Sequence, residues 1–372
     1  MSLPTLSAAT STRSTTDSAV ALRTQGGVTI GAFAGYNALL AYRTVDPRPR
    51  NLTSDLDFAA GMRWRWLGVA LKAGKYKQTN VVKFYNETFQ PTVYHATGLG
   101  TDYFRFRGSN TNTYYNGRNF GIQADAASAL GKITDAGIHV AYDYFGFDKI
   151  ISSLNELPMA SVAEHRFNAA AHILTRFAAT NTFAVEAEIT RTQRDGNENI
   201  FGEAENNIYP EIASLTMFRR STTEGSLCLA YEHTLDNVRI QARATGGYAS
   251  DRWRYTEPER LMEGNAAIAG ADAAVAWHAN RCVLSAKAGA SARIRTSSKL
   301  TMPETETSAL NVSAERQYLL MANNDCTYHA AAQADFAANH RFGIFCRLTW
   351  SGFRYAGSVN ASNYAATIGL VF

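Results

Sequence analysis

The sequence has no long hydrophobic run, only 8 prolines, 4 cysteines and a formal net charge of +4 over 372 residues. A membrane-spanning helix needs about 20 mostly apolar residues, so such helices are excluded. Cys228, Cys282, Cys326 and Cys346 show no CxxC spacing and lie in strand-like segments, which favours buried or lipid-facing thiols and leaves disulfides open. The small charge and the lack of a basic run argue against a nucleic-acid partner.

The apolar residues are instead spread over short alternating segments. Hydrophobic residues make up 46% of the chain, with 27 Gly, 18 Tyr and 19 Phe. The last ten residues alternate most clearly: Tyr364, Ile368, Leu370 and Phe372 share one face, and small or polar residues occupy the other. This period of two predicts β-strands with one apolar face.

Short turns and long polar connections separate these segments in turn. Tight turns are predicted near 66–68, 179–182, 235–237, 278–281 and 337–340. Long connections are predicted near 79–117, 148–164, 194–222, 251–263 and 296–325. Short turns at one end and long loops at the other are typical of a transmembrane barrel, on its periplasmic and extracellular sides respectively.

The alternation stays in phase from the C-terminus backwards and predicts an all-β, antiparallel, up-and-down transmembrane barrel of about fourteen strands. The strands are expected near 28–42, 55–66, 67–78, 118–129, 136–147, 165–178, 182–193, 223–235, 237–250, 264–278, 281–295, 326–338, 340–353 and 360–372. Segment 13–24 could be a further strand, and sixteen stays open because such barrels are even-numbered. We therefore divide the chain into an N-terminal segment, 1–27, loosely ordered or the remnant of an upstream part, and a barrel, 28–372.

Aromatic residues on the outward phase sort into two groups by depth. A lipid-facing surface places aromatics where headgroups meet hydrocarbon, whereas a soluble β-sandwich has no reason to do so. One group, at the short-turn ends, is Trp64, Trp66, Phe177, Phe183, Trp277, Phe336, Phe342 and Phe372. The other, at the opposite ends, is Tyr142, Tyr144, Phe167, Tyr248, Tyr328, Trp350 and Tyr364.

By this architecture and by its terminal strand ending in Phe372, the chain resembles bacterial outer-membrane β-barrel proteins. The resemblance implies export, insertion by the barrel-assembly machinery, contact with outer-membrane lipid and a periplasmic C-terminus. The first residues lack the charged start and apolar stretch of a signal peptide, so we expect an N-terminally truncated sequence whose upstream part is missing.

Charged residues on the inward phase are the first candidates for function. They could line a mildly cationic polar lumen that favours anionic or zwitterionic solutes, or they could brace neighbouring strands, which we favour. The lumen-facing candidates are Arg63, Arg65, Lys72, Arg166, Arg176, Glu186, Glu188, Arg239, Arg243, Lys287, Arg293 and Arg347.

Aromatic residues within 79–117 are the second candidates. Tyr94, Tyr103, Phe104, Tyr114 and Tyr115 could bind a ligand or partner at an extracellular loop, since tyrosine combines an apolar face with a polar tip. They could also pack within a hairpin that projects beyond the membrane, which we favour.

Catalysis and bound cofactors are not expected. The inward histidines 139, 172, 278 and 329 have no metal-ligand spacing, and neither GxSxG nor a P-loop occurs. The function predicted is therefore a channel or transporter for small solutes. The alternative is a non-conducting scaffold, or an accessory subunit of a receptor complex, that binds a surface lipoprotein or receptor through loops 79–117, 194–222 and 296–325.

Overall fold

The structure is a computed structural model that describes residues 10–23, 26–44, 48–85, 92–108, 112–206, 208–303, 309–339, 342–355 and 359–371. Phe372 and residues 1–9 lie outside these ranges. The strands are β1 (Thr10–Arg23), β2 (Val28–Tyr42), β3 (Arg48–Trp64), β4 (Leu67–Lys83), β5 (Ala96–Gly98), β6 (Thr101–Asp102), β7 (Asn112–Leu130), β8 (Thr134–Ile151), β9 (Leu157–Ala178), β10 (Asn181–Phe201), β11 (Glu211–Leu235), β12 (Val238–Tyr255), β13 (Arg260–Ala279), β14 (Cys282–Thr301), β15 (Asp325–Asn339), β16 (Phe342–Tyr355) and β17 (Val359–Val371). The helices are α1 (Ala309–Ala322) and two short 3-10 turns, Phe104–Phe106 and Ser152–Leu154.

Fifteen of the described strands form one antiparallel sheet in which each strand pairs with the next along the chain, and β5 pairs only with β6. This confirms the all-β, up-and-down arrangement. In the parts of the chain that the structure describes, no pairing joins β1 to β17. None of the helices in those parts is long and apolar enough to cross a membrane.

The expected number of fourteen strands is wrong, because the described sheet also contains β1, which includes residues 13–23 of the segment that the sequence left open. β1 pairs with β2 continuously from Thr10 opposite Tyr42 to Arg23 opposite Thr29. Its first half is serine, threonine and arginine, so an apolar alternation is absent there. Backbone pairing with β2 makes it a strand.

Several strands are longer than the alternation predicts. β10 and β11 contain 21 and 25 residues, whereas about 9–11 residues cross a bilayer. The connections predicted at 148–164, 194–222 and 251–263 are therefore mostly strand, with short links at 152–156, 202–210 and 256–259. The strands were underestimated because their backbone hydrogen bonding continues into polar sequence, where hydrophobic and polar residues no longer alternate.

The pairing register sorts the side chains onto two faces. We call the inner face the one that contacts α1, as Tyr355 does when its hydroxyl donates to the carbonyl of Leu319. The outer face is apolar and exposed: Ile368 is 77% and Tyr364 74% accessible. Trp277 lies on the outer face near the short turns. The apolar alternation thus belongs to the outer face.

Buried apolar side chains gather at the end of the sheet that carries the long connections, which we call the capped end. One cluster contains Leu99, Phe218, Tyr255, Met262 and Met321. A second cluster contains Phe106, Ile151, Leu157, Met159 and Phe201. Both clusters pack part of the connection after β4 against the inner face. The buried apolar core of the protein therefore lies at the capped end of the sheet.

Candidate functional site

All but one of the charged residues predicted to face the lumen lie on the inner face. The inner-face residues are Arg63, Lys72, Arg166, Arg176, Glu186, Glu188, Arg239, Arg243, Lys287, Arg293 and Arg347. Arg65 instead occupies the turn after β3 with a φ of 52°, and its guanidinium lies 5.1 Å from the Trp64 ring. It therefore belongs to the turn and not to the inner wall.

Ion pairs brace this face across neighbouring and next-neighbouring strands. Arg243 lies 3.1 Å from Glu186, and Arg176 lies 2.6 Å from Asp135. Each of these side chains is more than a third exposed, so each pair contributes little to stability, on the order of 0–1 kcal/mol. Their effect is to neutralise charge locally.

Glycines leave space for pairs that skip a strand. Lys72 on β4 lies 2.6 Å from Asp143 on β8, with Gly121 of β7 between them. A Cβ at Gly121 would lie 2.5 Å from the Asp143 carboxylate, closer than real Cβ atoms approach. Asn119 likewise donates to Asp57 across β4, over another glycine, at 2.9 Å. This role of the glycines has no local sequence signal, because it depends on which residues face each other across three strands.

Residues 92–108, which we call the capping segment, fold from the end of β4 across the inner face to β10–β13. At Gly98 φ is 133°, a conformation that favours glycine, and the ring of Phe218 packs where a Cβ would be. The next residue, Leu99, enters the first apolar cluster and is 4% exposed. Its carbonyl accepts a hydrogen bond from Arg260 at 3.1 Å.

Arg260 ties three parts of the capped end together. It lies at the start of β13 and is 1% exposed. Besides bonding the capping segment, it donates to Asn311 Oδ1 of α1 at 2.5 Å. Met321, near the other end of α1, packs against Gly264, where a side chain would leave no room. The capping segment and α1 are thus held on the same strand.

His95 is one of the desolvated residues of the capping segment. It is 2% exposed, and its carbonyl accepts from the amide of Tyr103 at 3.0 Å. Burial, assisted by the positive charge of Lys149, lowers the pKa of His95 to about 4. The imidazole is therefore neutral at pH 7.

A cavity of about 950 Å³ lies between the capping segment and β10–β13. Phe104, Ile200, Leu215 and Met217 supply apolar walls, while Tyr255 closes one side with its hydroxyl donating to Glu198.

Two arginines at this cavity are already engaged in hydrogen bonds. Arg107 donates two hydrogen bonds, of 2.5 and 2.6 Å, to the Asp102 carboxylate. Arg105 donates to the carbonyls of Phe201 and Gly202 at 2.5 and 2.8 Å. The cavity therefore offers apolar surface with a polar rim, which is the usual composition of a small-molecule site.

The five predicted loop aromatics divide between two places. Tyr103 and Phe104 line the cavity, and Tyr94 lies beside it with its ring 5.4 Å from the Arg107 guanidinium. Tyr114 and Tyr115 belong to β7.

The two β7 tyrosines make contacts of their own. The Tyr114 hydroxyl donates to Glu156, and the Tyr115 ring meets Phe147 edge-on at 5.4 Å. Arg260 and Asn311 were not predicted, because they fall within the connections expected at 251–263 and 296–325, where no motif marks them. Among the described residues, no group of three or more His, Cys, Asp or Glu is arranged to hold a metal ion.

Comparison with solved structures identifies the fold. The ferric citrate transporter FecA in its unliganded form matches 96% of this chain and 55% of its own, at 9% identity and a TM-score of 0.50. The ferric-catecholate import receptor Fiu from E. coli K12 matches 95% of this chain and 61% of its own, at 8% identity and a TM-score of 0.50. The chain thus covers 55% and 61% of these two proteins.

The translocator domain of the autotransporter NalP from Neisseria meningitidis also matches, over 83% of this chain and 88% of its own, at 11% identity and a TM-score of 0.33. A comparison with curated proteins finds no match. The model of a family of unknown function, DUF6850, matches residues 16–372. The fold of the chain is thus similar to that of outer-membrane β-barrel proteins, and the chain belongs to the DUF6850 family.

Proposed function

We propose that the protein forms a closed barrel in the outer membrane and carries small solutes through its lumen. The capped end would face the cell exterior and the C-terminus the periplasm, as in barrels with short periplasmic turns. In this arrangement the cavity under the capping segment is the first place where a solute binds. The similarity to FecA, a ferric citrate transporter, and to Fiu, an import receptor, supports the transport class.

The observation that carries this proposal is the shared construction of the cavity. One wall belongs to the capping segment, through Tyr103 and Phe104, and the other to the strands, through Leu215 and Met217. A solute bound there touches both the cap and the barrel wall. Movement of the capping segment would therefore alter both solute binding and the width of the passage into the lumen.

Electrical recording of the purified, refolded protein in planar bilayers tests the proposal. Arg260→Met removes the hydrogen bonds to Leu99 and Asn311, so the cap should loosen and the conductance or the open time should rise. Arg252→Met is the matched control, since Arg252 lies 58% exposed on the outer face and 3.5 Å from Glu263. It should conduct like the unmodified protein.

Folding of each variant is checked by its heat-dependent shift in gel mobility. If Arg260→Met fails to fold, Asn311→Ala replaces it, because this variant removes only the hydrogen bond between Arg260 and α1. A folded unmodified barrel and a folded loosened variant that both carry no current would overturn the proposed transport.

A non-conducting scaffold is the second candidate function. Apolar side chains are exposed at the tip of β10–β11, where Ile208 is 56% and Ile212 69% accessible, and on α1, where Leu319 and Leu320 are 55% and 57% accessible. Such side chains outside the bilayer suit contact with a protein, here a surface lipoprotein or receptor. Absence of current from every folded variant favours this function.

A further inference from the structure

A polar hollow of about 440 Å³ indents the inner face between β11 and β16. It lies near the short-turn end, because Arg239, one of its lining residues, follows the β11–β12 turn directly. The hollow is therefore separate from the cavity under the capping segment, which is lined by the opposite ends of β10–β13.

Alternating long and short side chains along the strand register create the hollow. Arg239 on β12 and Arg347 on β16 belong to one cross-strand row, with Ala276, Ser285 and Gln333 between them. The three intervening side chains are shorter than the two arginines. They form the floor, and the arginines stand at its sides.

Lys287 enters from the neighbouring row. Its cross-strand neighbours are Ala274 on β13 and Ala331 on β15, both too small to cover it. All three residues line the hollow. A lysine between two alanines projects its ammonium group over open space.

The hollow holds more positive than negative charge. Glu232 is its lining carboxylate and lies 3.6 Å from Arg239. Arg347 donates to the neutral amide oxygen of Gln333 at 2.5 Å. Within the described residues, neither Lys287 nor Arg347 has an ion-pair partner.

Further along the same strands, acidic side chains line the inner face beside the basic ones. Arg243 pairs with Glu186 at 3.1 Å, and Asp272 lies 2.7 Å from His329. The cationic excess of the hollow comes from Lys287 and Arg347.

We infer that this hollow binds the oxyanion group of a solute, a carboxylate or a phosphate, on its way through the lumen. The inference rests on the proposed transport and names its substrate class. Arginine offers a planar fork that matches two oxyanion oxygens, and lysine adds a point charge. Ser285 and Gln333 add polar groups at the floor.

Direct binding to the detergent-solubilised protein provides the first test. Tripolyphosphate and tricarballylate, added separately in calorimetric titrations, represent the phosphate and carboxylate sources. The double variant Lys287→Gln/Arg347→Gln should weaken binding of both probes by about tenfold or more, since it replaces two cationic groups by neutral amides. Tighter binding of one probe identifies the preferred source.

Arg63→Gln is the matched control. Arg63 lies on the inner face of β3, one residue before the end of that strand at a short turn, and has no ion pair within the described residues. It should bind both probes like the unmodified protein. Equal affinities in the control and the double variant, or no binding of either probe by the unmodified protein, would overturn the inference.

Reversal potentials in a KCl gradient give the second test and separate the two proposals. The unmodified channel should favour chloride over potassium, and the double variant should lose most of this preference while Arg63→Gln keeps it. If the channel conducts but the double substitution changes neither its selectivity nor its probe binding, the anion site is overturned and the proposed transport stands. Probe binding without current overturns transport but leaves the site intact.

Discussion

Asp272 and His329 approach to 2.7 Å although β14 lies between the strands that carry them. The residue between them in the register is Gly289. A Cβ there would overlap both the Asp272 carboxylate and the His329 ring. Together with the Lys72–Asp143 pair over another glycine, this contact shows that absent side chains on the inner face determine which polar groups meet.

Gly289→Ala should therefore destabilise the protein by about 1–3 kcal/mol, the usual cost of inserting a group where no space exists. Urea unfolding monitored by tryptophan fluorescence measures the change. Gly246→Ala is the control, because a Cβ at Gly246 meets nothing within 4 Å. Equal stability of the two variants would show that the inner face rearranges freely around Gly289.

Ala365 and Ala366 on β17 form a matched pair that tests the assignment of faces. Ala366 pairs with Leu348 on the outer face, and Ala365 pairs with Thr349 on the inner face. Ala366→Arg should cost about 2–4 kcal/mol near the bilayer midplane, whereas Ala365→Arg should be tolerated far better. Refolding into lipid vesicles with urea titration gives both values, and equal costs contradict the assignment.

Leu99 should be the main apolar anchor of the capping segment. It is 4% exposed in its cluster, so Leu99→Ala should weaken docking by about 2–4 kcal/mol through lost burial and a remaining cavity. Hydrogen exchange over 92–108 would report this loosening. Phe104→Ala, at a residue 75% exposed, should leave exchange nearly unchanged.

Acid should release the capping segment through His95. Its folded pKa of about 4 lies below the ordinary value of 6.5, so the undocked state binds the proton more readily. Docking is therefore strongest above pH 6.5 and weakens as the pH falls towards 4, by about 2–3 kcal/mol in all.

Hydrogen exchange of the capping segment between pH 7 and pH 5, corrected for intrinsic rates, measures this effect. His95→Leu should remove the pH dependence, whereas His278→Leu on β13 should keep it. An unchanged pH dependence in His95→Leu would assign the effect to another group, such as Asp102, whose charge also acts on His95.

The central part of each strand was predictable because alternation is a local signal. Leu348 and Ala366 fall on the outer face and Arg347 on the inner face, as their phase indicates. The extensions were not predictable, because β10 and β11 continue as polar ladders in which apolar alternation is lost. β1 was left open for the same reason.

The candidate site divides in the same way. The alternation along each strand predicted that Lys287 and Arg347 lie on the same face. The hollow between them depends on the register of β12–β16, which aligns their small residues. Tyr103 and Phe104 stood out by composition. Their partners across the cavity belong to strands about a hundred residues further along the chain.

By itself, the sequence determined the strand class and the face of the residues in the central part of each strand, because a period of two is readable within a few residues. Only the tertiary structure decided the cap, the cavity and the glycine-spanned pairs. Arg260 and Leu99 are 161 positions apart, and no local pattern encodes their hydrogen bond. That contact exists because the sheet order brings β13 beneath the capping segment.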